Sequence, residues 1–233
     1  MTTGRMNKID VRSLPLWAAV LPLLTFNVCY LVAVALEHLP ACIPYISGCT
    51  SVSSTGRMAP ESWIFKAGML PLAVIVLFVW WRCAGFLERG GQAGRRLWAL
   101  RLLGATAALS LLLYTAILGI AGDDYRSLRR IGIDGFALSN FIAQLIFVVS
   151  CRRMRTERTR RLWQYLAAIC VAVPAIVIAA ELAKLLGAPR HPVNNIMAWN
   201  ALLLQCLWFG LLARLLPDQF DNMLSGRAAS PRG

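Results

Sequence analysis

Six long apolar runs, spaced along almost the whole chain, limit what this sequence can fold into more than any other feature. They are Leu14–Leu36, Trp63–Trp81, Leu102–Ala121, Gly135–Cys151, Leu162–Leu186 and Ile196–Leu216. A helix that crosses a bilayer needs about 20 mainly apolar residues, within a range of roughly 17–25, and every run falls in that range. None alternates apolar and polar residues as lipid-facing barrel strands do. The first run is too long for a cleavable signal, and no small-residue cleavage site follows it, so it reads as a retained span. Hydrophobic residues make up 58% of the chain and charged residues 15%, against about 45–50% and about 25% in soluble domains. A soluble enzyme, a disordered chain and a secreted disulfide scaffold are thereby excluded. The fold class is all-α, a polytopic membrane bundle of six transmembrane helices. It divides into a tail (1–13), a membrane domain (14–216) whose longest connection is an outer loop (37–62), and a second tail (217–233) expected to be flexible.

Charge orients the bundle, because Lys and Arg gather on the cytoplasmic side of short loops. With the amino terminus inside, 17 of the 24 basic residues face the cytosol. They include Arg82, Arg89, Arg95, Arg96 and Arg101 in one region, and Arg152, Arg153, Arg155, Arg158, Arg160 and Arg161 in another. Both termini are then cytoplasmic, and the expected location is the cytoplasmic (inner) membrane of a cell. The formal net charge of +13 falls between spans, where it suits an anionic lipid leaflet. No nucleic-acid partner is implied.

The outer side mixes signs. Arg57, Lys66, Arg126, Arg129, Arg130, Lys184 and Arg190 stand against Glu37, Glu61, Asp123, Asp124, Asp134 and Glu181. Such a face suits a zwitterionic or phosphate-bearing head group. The alternative is that these charges pair with one another in solvent, where each pair adds little. Glu181 lies about 7 Å inside its run at 1.5 Å per residue, and charges within spans usually face a protein interior or a wet cavity. Two readings are open. One is a polar pocket with Glu61 and Glu181 as acids and Lys66 or Arg130 as bases; the other is a structural Glu181–Lys184 pair one helical turn apart. Asn27, Asn140, Gln144, Asn200 and Gln205 lie deeper, where interhelical hydrogen bonding accounts for them. Asn140 and Gln144 share one helix face, which predicts a packed seam.

Helix ends are expected where the residue chemistry favours them. Asp134 and Asn195 are predicted to cap the fourth and sixth spans. Pro60 is predicted at the first position of the second span, with Glu61 in the first turn beside the helix dipole. Gly122 and Gly187 are predicted to stop the third and fifth. Pro22, Pro71 and Pro174 fall inside spans and should bend them.

Cys42 and Cys49 share the outer loop and either close a small disulfide loop or remain two free thiols. The other five of the seven cysteines fall inside spans or at their cytoplasmic ends. Ligand spacing of the Cys-x-x-Cys type is missing, so no metal site and no cofactor is implied. With only His38 and His191 present, a self-contained three-histidine zinc hydrolase is excluded. The sequence also lacks a Gly-x-Ser-x-Gly elbow and a Gly-Lys-Ser/Thr phosphate loop. No pattern identifies catalytic residues, although Glu61 with His38 or His191 would supply the carboxylate and imidazole of acid–base chemistry.

Pro44-Tyr45-Ile46-Ser47, followed after a spacer by Pro60-Glu61-Ser62-Trp63-Ile64-Phe65 at the opening of the second span, resembles the signature of the FRAG/DRAM/Sfk family. That family includes the damage-regulated autophagy modulators and the Golgi factor that remodels GPI-anchor lipids. It also includes the amino-terminal domain of a fungal cell-wall protein that installs ceramide on GPI anchors. The six-span layout and Glu181, after Ala179-Ala180, are similar too. Gly48 stands where the family usually carries an acid, and Asp134-Gly135 stands near where it has a histidine. The resemblance implies a membrane protein concerned with lipid composition or lipid-anchored partners.

The leading expectation is an outward polar pocket lined by Tyr45, Ser47, Glu61, Asp134 and Glu181, with Lys66 and Arg130 offering positive charge to phosphate. Its partners would be membrane lipids, and its role lipid binding or lipid remodelling. One alternative is a membrane acyltransferase or lipid hydrolase using Glu61 with His38 or His191. Another is a small proton-coupled transporter using Glu181.

Overall fold

The computed structural model describes residues 13–120, 122–152 and 157–224. Within them the chain is helical throughout its regular parts. The elements are α1 (Leu14–Ala35), α2 (Pro44–Ser47), a 3-10 helix (Val52–Gly56), α3 (Glu61–Arg89), α4 (Arg95–Ile117), α5 (Asp123–Cys151), α6 (Glu157–Leu185) and α7 (Arg190–Leu224). All but α2 and the 3-10 turn are long and apolar enough to cross a membrane, which makes six candidate spans. The expected six-helix bundle is therefore present. Neighbouring helices follow the order α6, α7, α1, α3, α4, α5, and a light contact between α5 and α6 closes the ring.

Small residues set the closest approaches, as they do where lipid-embedded helices must gain contact without a hydrophobic drive. Gly68 of α3 faces Thr25 of α1 with no room for a Cβ, and Gly104 of α4 is pressed in the same way against Trp80 of α3. At the centre, Trp80, Phe147, Trp208 and Phe209 tie α3, α5 and α7 together. Their ring centroids lie 5.7 Å (Trp80–Trp208), 6.2 Å (Phe147–Trp208) and 6.3 Å (Trp80–Phe209) apart. The Trp80 indole N–H donates to Asn140 Oδ1 at 2.8 Å, which satisfies a polar group that would otherwise be costly in hydrocarbon. Asn140 and Gln144 are both buried, as their shared face requires. Exposed aromatics mark the span ends: Trp63 at one end of α3, and Trp17, Trp81, Trp98 and Tyr165 towards the arginine-rich end. Membrane–water interfaces favour such rings.

Several helices overrun the apolar runs, and this corrects the expected caps. The segment from Asp123, expected as part of an outer loop, already belongs to α5. Gly132 lets that extension lie flat on Ser110 and Tyr114 of α4, and Arg129 Nη1 donates to the Ile120 carbonyl at 2.6 Å. Asp134 therefore sits within a helix, exposed, and caps nothing. Asn195 is also internal, because α7 begins at Arg190. Pro60 occupies the N-cap of α3 and Glu61 takes the first helical position. Of the second tail, residues 217–224 continue α7 and the remainder lies outside the described residues. The Gly187 expectation stands: at φ 93° it ends α6, its N–H bonding the Lys184 carbonyl and the Ala188 N–H the Ala183 carbonyl, the paired closure of a Schellman motif.

Candidate functional site

The 36–60 connection is an ordered cap on one end of the bundle. The Tyr30 hydroxyl of α1 donates to the Cys42 carbonyl and accepts from the Cys42 N–H, each at 2.8 Å. Cys42 and Cys49 are paired as a disulfide across a separation of 7 residues. The short helix α2 inside that loop is docked on α7. Asn195 Nδ2 donates to the Gly48 carbonyl at 2.8 Å, Asn200 Nδ2 to the Tyr45 carbonyl at 2.9 Å, and Trp199 Nε1 to the Thr50 carbonyl at 3.0 Å. From α1, Asn27 Nδ2 donates to the Tyr45 hydroxyl at 3.1 Å. Gly48 itself is left-handed (φ 61°), and a Cβ there would collide with the Pro192 backbone. No acidic side chain fits at position 48. Gly119, in the α4–α5 connection, packs against the Arg57 carbonyl, so that connection meets the cap as well.

Beneath the cap lies the one buried acid among the described residues. Glu61 is 1% exposed although it opens a membrane-spanning helix. His38 Nδ1–H donates to Glu61 Oε1 across 2.6 Å. The turn that brings them together has a local cause. Helix α1 ends in a Schellman closure in which the Glu37 N–H bonds the Val34 carbonyl and the His38 N–H the Ala33 carbonyl. The left-handed position of that closure usually falls to glycine, yet Glu37 occupies it at φ 58°, at a cost of roughly 1–2 kcal/mol. The reversal sends His38 back over the α3 amino terminus, where the helix dipole also favours the Glu61 carboxylate. The other carboxylate oxygen, Oε2, is buried and has no hydrogen-bond partner among the described residues.

A cavity of about 160 Å³ opens here, lined by Ala33, His38, Leu39, Ser54, Arg57, Met58 and Glu61. Its polar wall combines a carboxylate, an imidazole, a hydroxyl and a guanidinium. Arg57 is exposed, with Nη2 at 3.3 Å from Ser53 Oγ. A carboxylate and a guanidinium thus belong to the wall of one small cavity, the first buried and the second exposed.

Of the residues expected to line a pocket, Glu61 does so and the others are placed elsewhere. Tyr45 is half-buried against Trp199, ring centroids 4.9 Å apart, and serves the docking of α2. Ser47 is exposed and its hydroxyl closes its own turn on the Ile43 carbonyl at 2.9 Å. Lys66 is half-buried farther along α3, while Asp134 and Arg130 are exposed on α5. Glu181, 61% exposed, pairs with Lys184 at 2.5 Å, and Lys184 also donates to Asn194 Oδ1 at 2.9 Å. That is the structural ion pair, and the expected convergence of Glu61, Asp134 and Glu181 is corrected: one acid lines the cavity, one is exposed on α5, and one is tied to its own helix. His191 is exposed on α7, so His38 is the histidine joined to Glu61. Among the described residues no cluster of His, Cys, Asp and Glu is arranged to hold a metal. Sequence reading missed Arg57 and Ser54 as lining residues. Their signal was spacing, since residues 54, 57, 58 and 61 fall on one side of a tight turn leading into a helix, but it required the loop to be ordered.

Compared with known protein families, curated proteins and solved structures, the chain matches none.

Proposed function

We propose that this multi-pass membrane protein binds the polar head of a membrane lipid in the Glu61–His38 cavity, as a lipid-binding or lipid-remodelling factor. One observation carries the reading: a buried carboxylate, half satisfied by an imidazole, shares a small open cavity with an exposed guanidinium. Buried charges in membrane proteins are costly and mark functional sites by default. Both termini would be cytoplasmic and the capped end would face away from the cytosol, in keeping with the arginine-rich turns at the opposite end. Those arginines would rest against anionic lipid. The reading also agrees with the lipid-related role that the FRAG/DRAM/Sfk resemblance implies. Its test is mass spectrometry of lipids retained by the purified protein. Glu61→Gln and His38→Ala should change the retained profile while Glu181→Gln should not; an unchanged profile in the first two contradicts the assignment.

The His38–Glu61 contact also favours a second reading. A carboxylate that holds one imidazole nitrogen leaves the other to act as a general base, here towards water attacking a lipid ester. Release of fatty acid or head group from defined lipids by the wild type, abolished in His38→Ala, would support it.

A further inference from the structure

We propose that the cavity selects a phospholipid whose phosphate carries a primary amine, over its N-methylated counterparts. This rests on the head-group reading above and names the head group. Three features point the same way. The first is the buried Glu61 Oε2, which has no partner among the described residues. An ionised carboxylate only accepts hydrogen bonds, and a primary ammonium presents three N–H donors. A quaternary ammonium has none. Proteins that hold quaternary ammonium groups do so with aromatic faces, whereas the apolar lining here is Ala33, Leu39 and Met58. His38, the one ring in the wall, is committed edge-on to Glu61.

The second feature is Arg57, whose planar guanidinium matches phosphate geometry better than a lysine would. It lines the same cavity and is exposed, so the phosphate need not be buried with the amine. The volume, about 160 Å³, suits an ammonium group on a short linker. The third feature identifies the source. Leu36, Ile43, Ile46, Met58 and Trp63 around the cap are large, apolar and exposed. Such a rim fits the glycerol and upper acyl region of a lipid, and has no counterpart in a soluble aminoalkyl phosphate. Met58 both lines the cavity and is 54% exposed; its flexible thioether chain is the part of the wall that can turn aside to admit the amine to Glu61.

The test uses the full chain purified in detergent. Native mass spectrometry would measure occupancy by dioleoyl phosphatidylethanolamine, its N-methyl and N,N-dimethyl forms, phosphatidylcholine and phosphatidylglycerol, with soluble glycerophosphoethanolamine as competitor. Occupancy should fall with each added methyl, by about tenfold in affinity from the primary amine to the trimethyl form. Glu61→Gln should flatten the series, Arg57→Gln should weaken every phospholipid while keeping the series, and Glu181→Gln should leave both unchanged. Equal retention of ethanolamine and choline lipids, or a gradient that survives Glu61→Gln, overturns the amine assignment while the head-group reading stands. If the wild type retains no lipid above micelle background, the head-group reading itself fails. Displacement by equimolar glycerophosphoethanolamine would overturn the lipid as the source. Should Glu61→Gln fail to fold, the wild-type methyl series and Arg57→Gln decide the matter.

Discussion

Two carboxylate–base pairs occupy the same end of this bundle, and they differ in almost everything except chemistry. Glu61 and His38 come from different elements, meet under a cap, and leave the carboxylate 1% exposed. Glu181 and Lys184 share one helix at i,i+3 spacing and leave the carboxylate 61% exposed. The second pair is what neighbouring residues on a helix do unaided, worth a few tenths of a kcal/mol. The first is assembled by the left-handed turn at Glu37, which carries His38 from the end of one helix over the start of another. A charge inside an apolar run is therefore a poor guide to function until its surroundings are known; what distinguishes Glu61 is the structure assembled to bury it.

Thermal unfolding in detergent, converted to free energy, would break or sharpen that contrast. The largest loss should come from Gly48→Asp, which forces a side chain into the left-handed region and into the Pro192 backbone. About 2–4 kcal/mol should be lost, and a neutral result would mean that α2 is not docked on α7. Glu61→Ala comes next, removing the charged partner of His38 for about 1.5–3 kcal/mol. A double-mutant cycle over His38 and Glu61 should show coupling of at least about 1 kcal/mol, and parity with the Glu181–Lys184 cycle would erase the distinction drawn above. Glu37→Gly should stabilise slightly, by about 0.5 kcal/mol, since glycine adopts the left-handed turn freely but loses more chain entropy on folding. Glu181→Gln should stay within about 0.5 kcal/mol of the wild type, as solvent-screened pairs do.

The bundle was legible because span length and hydropathy are one-dimensional properties. Leu14–Leu36 and Leu162–Leu186 announce themselves without any knowledge of neighbours, whereas Gly135–Cys151 is the shortest run and sits at the lower limit of span length. Helix ends were less legible where amphipathic turns continue a span. Asp134 and Asn195 look like caps in isolation, yet Gly132 and the α2 contact extend α5 and α7 past them. The cap was the least legible part. Its order depends on side chains far apart in sequence, such as Trp199 on the Thr50 carbonyl and Asn195 on the Gly48 carbonyl. Sequence reading could name Glu61 and His38 as a conceivable pair; the left-handed turn at Glu37 that joins them carries no residue signal, because glycine is absent where the geometry calls for it.

The central claim, that the capped cavity and not the Glu181 end receives a lipid head group, is tested most directly by photocrosslinking. A phospholipid with a photoreactive group in its head would be incorporated with the full chain, irradiated, and its adducts mapped by peptide mass spectrometry. The account predicts adducts on the segments 33–39 and 54–61, reduced in Arg57→Gln. Adducts confined to the region around Glu181 and Lys184, with none under the cap, would contradict it.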